Sequence, residues 1–105
     1  MRIVRTQAFA RAIKALNVSE SELSALETEI AANPDAGKVI KGLGGVRKIR
    51  FSMGGKGKRS GGRCAYLVLR LDDIAYLLLA YAKSQQTDLT QDQRKSILAF
   101  IEALP

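Results

Sequence analysis

The sequence predicts an α+β fold with an N-terminal helical hairpin, an antiparallel β-sheet core and a C-terminal helix. Three observations lead to it. Two segments carry apolar stripes at helical spacing and open on capping-box patterns, Ser19-x-x-Glu22 and Thr90-x-x-Gln93. Two consecutive runs, Arg63 to Leu71 and Ile74 to Lys83, are rich in Tyr, Val, Leu and Ile and are split by Asp72-Asp73. Glycine-rich passages set these runs apart from the first helical part, so helices and strands are segregated along the chain.

Met1 to Thr6 reads as a short strand, with Arg2, Val4 and Thr6 alternating with Ile3 and Arg5. Gln7 to Leu16 reads as a helix whose stripe is Phe9, Ile13 and Leu16. The helix opened by Ser19 carries Leu23, Leu26 and Ile30 and stops near Asn33-Pro34, because the residue before proline avoids helical geometry. A glycine-rich passage, Gly37 to Gly45, follows. A first strand is expected over Val46 to Ser52, with Arg47, Lys48 and Arg50 on it. Gly54 to Gly62 is a flexible basic loop. The strands over Arg63 to Leu71 and Ile74 to Lys83 are apolar on both faces, so both faces of the sheet should be covered. The last helix carries Ile97, Ile101 and Leu104, broadened by Leu98 and Phe100. Residues 1–105 read as one domain without repeats or linkers.

The 105 residues are 47% hydrophobic and 26% charged, the balance of a globular chain. One cysteine, Cys64, excludes an internal disulfide and points to a reducing, cytoplasmic setting. No apolar run approaches the roughly 18 residues of a membrane span, and Met1 to Thr6 lacks the apolar region of a signal peptide. The net charge is +7. Nine of the 17 basic residues fall between Lys38 and Arg63, a stretch without Asp or Glu, and the remaining eight are outweighed by ten acidic residues elsewhere. The positive excess therefore sits in about a quarter of the chain, which favours a polyanionic partner over a merely solvated loop.

The chain has no histidine, which excludes histidine acid–base pairs, serine triads and the usual zinc sites. Its acidic residues are scattered, with no cluster suited to a magnesium-dependent nuclease, and no metal or cofactor is expected. Cys64 reads as a small core residue rather than a nucleophile. Gly54 to Gly62 is not a nucleotide-binding P-loop, since Arg59 follows Gly57-Lys58 where Ser or Thr is required. Its glycines let backbone approach a phosphate chain, while Lys56, Lys58 and Arg59 supply charge.

RNA can be cleaved without a metal when its own 2′-hydroxyl attacks the adjacent phosphate. That reaction needs a group to move the proton and cations around the crowded phosphate; like-charge repulsion between close lysines makes a basic lysine feasible. Arg63, Tyr81 and Lys83 are the candidates beside the loop. Tyr81 reads either as a stacking platform for a base or as a half-buried strand aromatic. Register offers a test. A two-residue turn at Asp72-Asp73 sets Arg63 opposite Ala82, on the face away from Tyr81 and Lys83. A shared site therefore requires an odd-length turn or a bulge.

Gly44-Gly45-Val46-Arg47-Lys48-Ile49-Arg50, followed by Gly55-Lys56-Gly57-Lys58-Arg59-Ser60-Gly61-Gly62-Arg63, resembles the core motif of RelE/HigB-type toxins of type II toxin–antitoxin systems, in the RelE/ParE superfamily. Leu77 to Leu89 and Thr90 to Lys95 resemble that family's second block. The resemblance implies a RelE-like fold and a ribosome-dependent messenger-RNA endoribonuclease that inhibits translation. It implies a cognate antitoxin as partner, the ribosome and messenger RNA as targets, operator DNA bound only through the antitoxin complex, no membrane and no cofactor. It implies catalytic positions at Arg63, Tyr81, Lys83, Lys56 and Lys58. Arg63 would stabilise the scissile phosphate, Lys83 or a loop lysine would move the proton, and Tyr81 would stack on a base. Arg47, Lys48, Arg50 and Arg59 would grip the RNA backbone. Two other readings stay open: a ParE-like toxin that inhibits gyrase, and a nucleic-acid-binding module without catalysis.

Overall fold

A computed structural model describes all 105 residues, Met1 to Pro105. Its elements are β1 (Arg2–Arg5), α1 (Gln7–Ala15), α2 (Glu20–Ala32), β2 (Lys38–Val39), β3 (Arg47–Phe51), β4 (Gly62–Leu69), β5 (Ile74–Ala82) and α3 (Gln91–Glu102). The strands form one sheet in the order β1-β5-β4-β3-β2. The α+β class is as expected, and three strand pairings are antiparallel. β1 departs from this: it pairs parallel with β5, from Arg2 beside Ile74 to Arg5 beside Leu77, so the sheet is mixed. The two-residue β2, opposite Arg47 and Lys48, also lies beyond what the glycine-rich passage suggested.

Local chemistry sets the helix starts. Both capping boxes form, Ser19 with Glu22 and Thr90 with Gln93. Thr6 caps α1 by accepting from the Phe9 N–H, and its hydroxyl donates to the Leu77 carbonyl at 2.8 Å, pinning α1 to β5. Arg5 grips Glu27 of α2 with a two-point guanidinium–carboxylate contact at 2.8 and 3.0 Å.

Each face of the sheet carries its own core. Phe9, Leu23, Leu26 and Ile30 from α1 and α2 pack on Ile49, Phe51, Cys64, Tyr66 and Leu77. On the other face, Ile97 of α3 joins Leu43, Val46, Ala65, Leu67, Leu78, Tyr81 and Leu89. Cys64 is fully buried, and burial pushes its thiol pKa up, which makes it inert. Leu98 is exposed and does not broaden the α3 stripe, whereas Phe100 packs against Tyr76 with ring centroids 5.4 Å apart.

The β4–β5 connection is longer than a two-residue turn. β4 stops at Leu69, a 3-10 turn spans Arg70–Asp72, and Asp73 takes left-handed geometry (φ 53°) before Ile74. That four-residue connection would leave Arg63 and Tyr81 on opposite faces. A bulge corrects the phase. Tyr66 pairs with Leu77 but Ala65 pairs with Leu79, so Leu78 is an extra residue in β5. Leu78 and Leu79 both turn toward the α3 side, and from there Arg63 pairs with Tyr81.

Candidate nucleic-acid interface

The basic residues of β3 divide by strand alternation. Lys48 and Arg50 lie on the Arg63 face, opposite Ala65 and Arg63, whereas Arg47 lies on the other. With Lys38, Lys58 and Lys83 they line a groove of about 580 Å³ that also contains Glu29, Ala36, Ile49 and Thr87. Six cations thus meet one carboxylate in its wall. Lys83 follows directly on β5, and its N–H donates to the Gly61 carbonyl, which keeps it beside the basic loop.

Arg63 is the buried member, 7% exposed. Its guanidinium donates to the carbonyls of Lys58 (3.1 Å), Gly62 (2.9 Å) and Arg59 (3.0 Å). An arginine has five N–H donors, so two stay available to an anion. Burial, and then the facing charge of Arg50, lower its pKa; an arginine remains charged, and an anion between the two would relieve that repulsion.

Tyr81 pairs with Arg63 across β4 and β5, lies outside the groove wall and is 3% exposed. Its ring is packed in the α3-side core and its hydroxyl reaches the Thr87 carbonyl at 3.5 Å. Burial raises the phenol pKa, while the charge of Lys48 pulls it down. No ring face is open to a base. This is the strand-aromatic alternative expected for Tyr81: the bulge turns its side chain into the α3-side core rather than into the α1–α2 core on the other face.

The basic loop is held from two sides. Gly54 and Gly55 take positive φ (62° and 75°), which glycine adopts without strain. Glu22 accepts from the Gly55 N–H, and Glu29 binds the Lys58 ammonium at 2.9 Å. The Ser19 N–H, with those of Gly55 and Gly54, holds the Glu22 carboxyl below its usual pKa. Lys56 and Arg59 are exposed on this loop, outside the groove wall. Arg47 is committed elsewhere, to Asp35 at 3.2 Å and to the Gly37 carbonyl at 2.8 Å, so it ties β3 to the end of α2 instead of joining the groove.

A model of the RelE toxin of the RelE/RelB toxin–antitoxin system matches residues 1–103. The chain belongs to the RelE toxin family. Among solved structures, an arginine-to-alanine double mutant of E. coli toxin RelE in the free state superposes with a TM-score of 0.61 at 15% identity, covering 95% of this chain and 96% of that one. The isolated E. coli RelE toxin gives 0.54 at 14% identity, covering 94% and 97%. A conserved hypothetical protein of Helicobacter pylori gives 0.52 at 17%, covering 81% and 97%. At these identities the likeness is one of fold. RelE membership makes the chain a toxin-family component and implies an antitoxin partner.

Sequence reasoning missed three residues at this RelE groove. Lys38 was counted among the basic residues but sits there through β2, a pairing too short to read from a pattern. Glu29 and Asp88 bring carboxylates to Lys58 and Lys48, at 2.9 and 2.8 Å, from distant parts of the chain. A separate groove of about 630 Å³ between α1, β5 and α3 is mainly apolar, lined by Tyr76, Leu78, Leu79 and Phe100, with Arg11 and Asp92 as its charged residues. It lacks the cation cluster that a phosphate chain needs. No helix is long and apolar enough to cross a membrane.

Proposed function

We propose that this chain is a ribosome-dependent messenger-RNA endoribonuclease that inhibits translation, using the RNA's own 2′-hydroxyl and no metal. The observation that supports this is Arg63, held with free donors in a groove it shares with Lys38, Lys48, Arg50, Lys58 and Lys83. The 2′-oxygen attacks phosphorus and the bond to the 5′-oxygen breaks, leaving a 2′,3′-cyclic phosphate and a 5′-hydroxyl. Arg63 stabilises the charge that gathers on the phosphate oxygens. Lys83, or Lys58 or Lys56 on the loop, moves the proton. Lys48, Arg50 and Arg59 hold the flanking backbone. Tyr81 acts as a positioning residue beside Arg63. Residues 1–105 act as one domain in the cytoplasm, and a cognate antitoxin neutralises it and carries it to operator DNA.

The test is brief induced expression of the chain beside Arg63→Ala and Lys83→Ala variants, with messenger-RNA 5′ ends mapped. Cuts at fixed codon positions in translated messages, lost in the variants, are the expected result. Intact messages with arrested growth would point to a ParE-like target such as gyrase. Intact messages with normal growth would leave a binding module.

A further inference from the structure

Two of the six groove cations are already occupied. Lys48 binds Asp88 at 2.8 Å and Lys58 binds Glu29 at 2.9 Å, whereas the side chains of Lys38, Arg50 and Lys83 have no hydrogen-bond or ion-pair partner. The two carboxylates come from firm supports on separate parts of the fold. Glu29 is in the last turn of α2. Asp88 stands at the entrance to α3, where Gln86 donates to the Asp88 carbonyl and to the Gln93 side chain, both at 2.8 Å, and Tyr81 reaches the carbonyl of the adjoining Thr87. The Lys48 ammonium holds the Asp88 carboxyl below its usual pKa. Glu29 is half-buried and Asp88 is exposed, and exposed ion pairs contribute little to stability. Their consequence is electrostatic: each carboxylate neutralises its lysine and repels a phosphate arriving there, so the phosphate competes with an anion already seated.

We infer that Glu29 and Asp88 are specificity-determining residues that mask Lys58 and Lys48 and so weaken the groove's hold on free single-stranded RNA. This rests on the reading of the groove as the RNA site. The three unpartnered cations and Arg63 supply the initial grip. The two masked lysines engage only when the RNA is held firmly enough to exchange one anion for another.

The test is fluorescence-anisotropy titration of a short labelled 2′-O-methyl oligouridine, which the chain cannot cut for want of a free 2′-hydroxyl, over a series of salt concentrations. The purified chain is compared with Glu29→Gln/Asp88→Asn, with each single variant, and with Arg50→Ala. These amides match the carboxylates in shape, and the two single variants provide independent readings. The double variant is expected to bind more tightly, with a salt dependence steeper by about 1.4 in log–log slope, two further phosphates at about 0.7 each. Each single variant is expected to give about half that change. Arg50→Ala should weaken binding. If Arg50→Ala weakens binding while the carboxylate variants match the parent, or bind more tightly without a steeper slope, the masking role is overturned and the groove stands. If Arg50→Ala changes nothing, the groove is not the RNA site and both readings fall.

Discussion

Arg63 and Tyr81 face each other across β4 and β5, and one extra residue in β5, Leu78, brings them onto the same face. The arrangement sets two functions side by side. Tyr81 fills the α3-side core, and Arg63 beside it reaches the loop carbonyls. The guanidinium thus shapes the basic loop as well as presenting charge to the groove.

Arg63→Lys separates those two contributions. A lysine keeps the charge but cannot reproduce the planar fork that reaches both the Lys58 and Arg59 carbonyls. Cleavage on translating ribosomes is expected to fall by about 10²–10³-fold, the usual effect of losing a donor to a developing oxyanion. Amide hydrogen exchange over residues 54–61 should quicken while the sheet amides stay protected. Parent-like cleavage would argue that charge alone suffices.

Tyr81→Ala tests whether the ring is structural. Its burial predicts a loss of stability of about 3–5 kcal/mol, as for other large aromatics removed from a core. Urea denaturation measures this directly. A stacking residue on an open face would leave the unfolding midpoint almost unmoved.

Gly62 faces Phe51 across β3 and β4, and a methyl group there would come within 2.5 Å of the Phe51 ring. Gly62→Ala is expected to destabilise by about 1–3 kcal/mol. Phe51→Leu in the same chain should recover part of that loss, because the clash is with side chains, the Phe51 ring and the Met53 sulfur, and not with backbone. A double-mutant cycle in urea reads this as a combined loss smaller than the two separate losses added together.

The fold should weaken in alkali. Burial pushes up the thiol of Cys64 from its ordinary 9.0 and the phenols of Tyr66 and Tyr81 from 10.0. Above those values the unfolded chain releases protons that the folded chain keeps, so stability is full below about pH 9 and falls as pH rises further. Cys64→Ala should delay the onset toward pH 10. Unfolding midpoints collected across pH 8–11 give the comparison.

Much of this was legible in the sequence for physical reasons. Capping boxes and apolar stripes are local signals, and both boxes formed where Ser19 and Thr90 announced them. The charge run from Lys38 to Arg63 foretold a basic surface, because charge cannot be buried without partners. Which side each cation would face was harder. Alternation along β3 sends Arg47 to Asp35 and leaves Lys48 and Arg50 in the groove, a division that a count of basic residues does not contain. Strand register requires an odd turn or a bulge for a shared site but does not say which; Leu78 looks like any other leucine in an apolar run. Glu29 and Asp88 were hidden because their partners are 29 and 40 residues away.

The parallel seat of β1 against β5 has a consequence for how the molecule is made. Arg2 to Arg5 are translated before the other elements of this fold, yet the backbone they bond to, Ile74 to Leu77, is translated only after β2, β3 and β4. β1 must wait unpaired through the synthesis of both hairpin helices, the basic loop and β4. A nascent chain therefore cannot close its sheet until β5 has emerged, and the finished toxin fold is a late event on the ribosome that builds it.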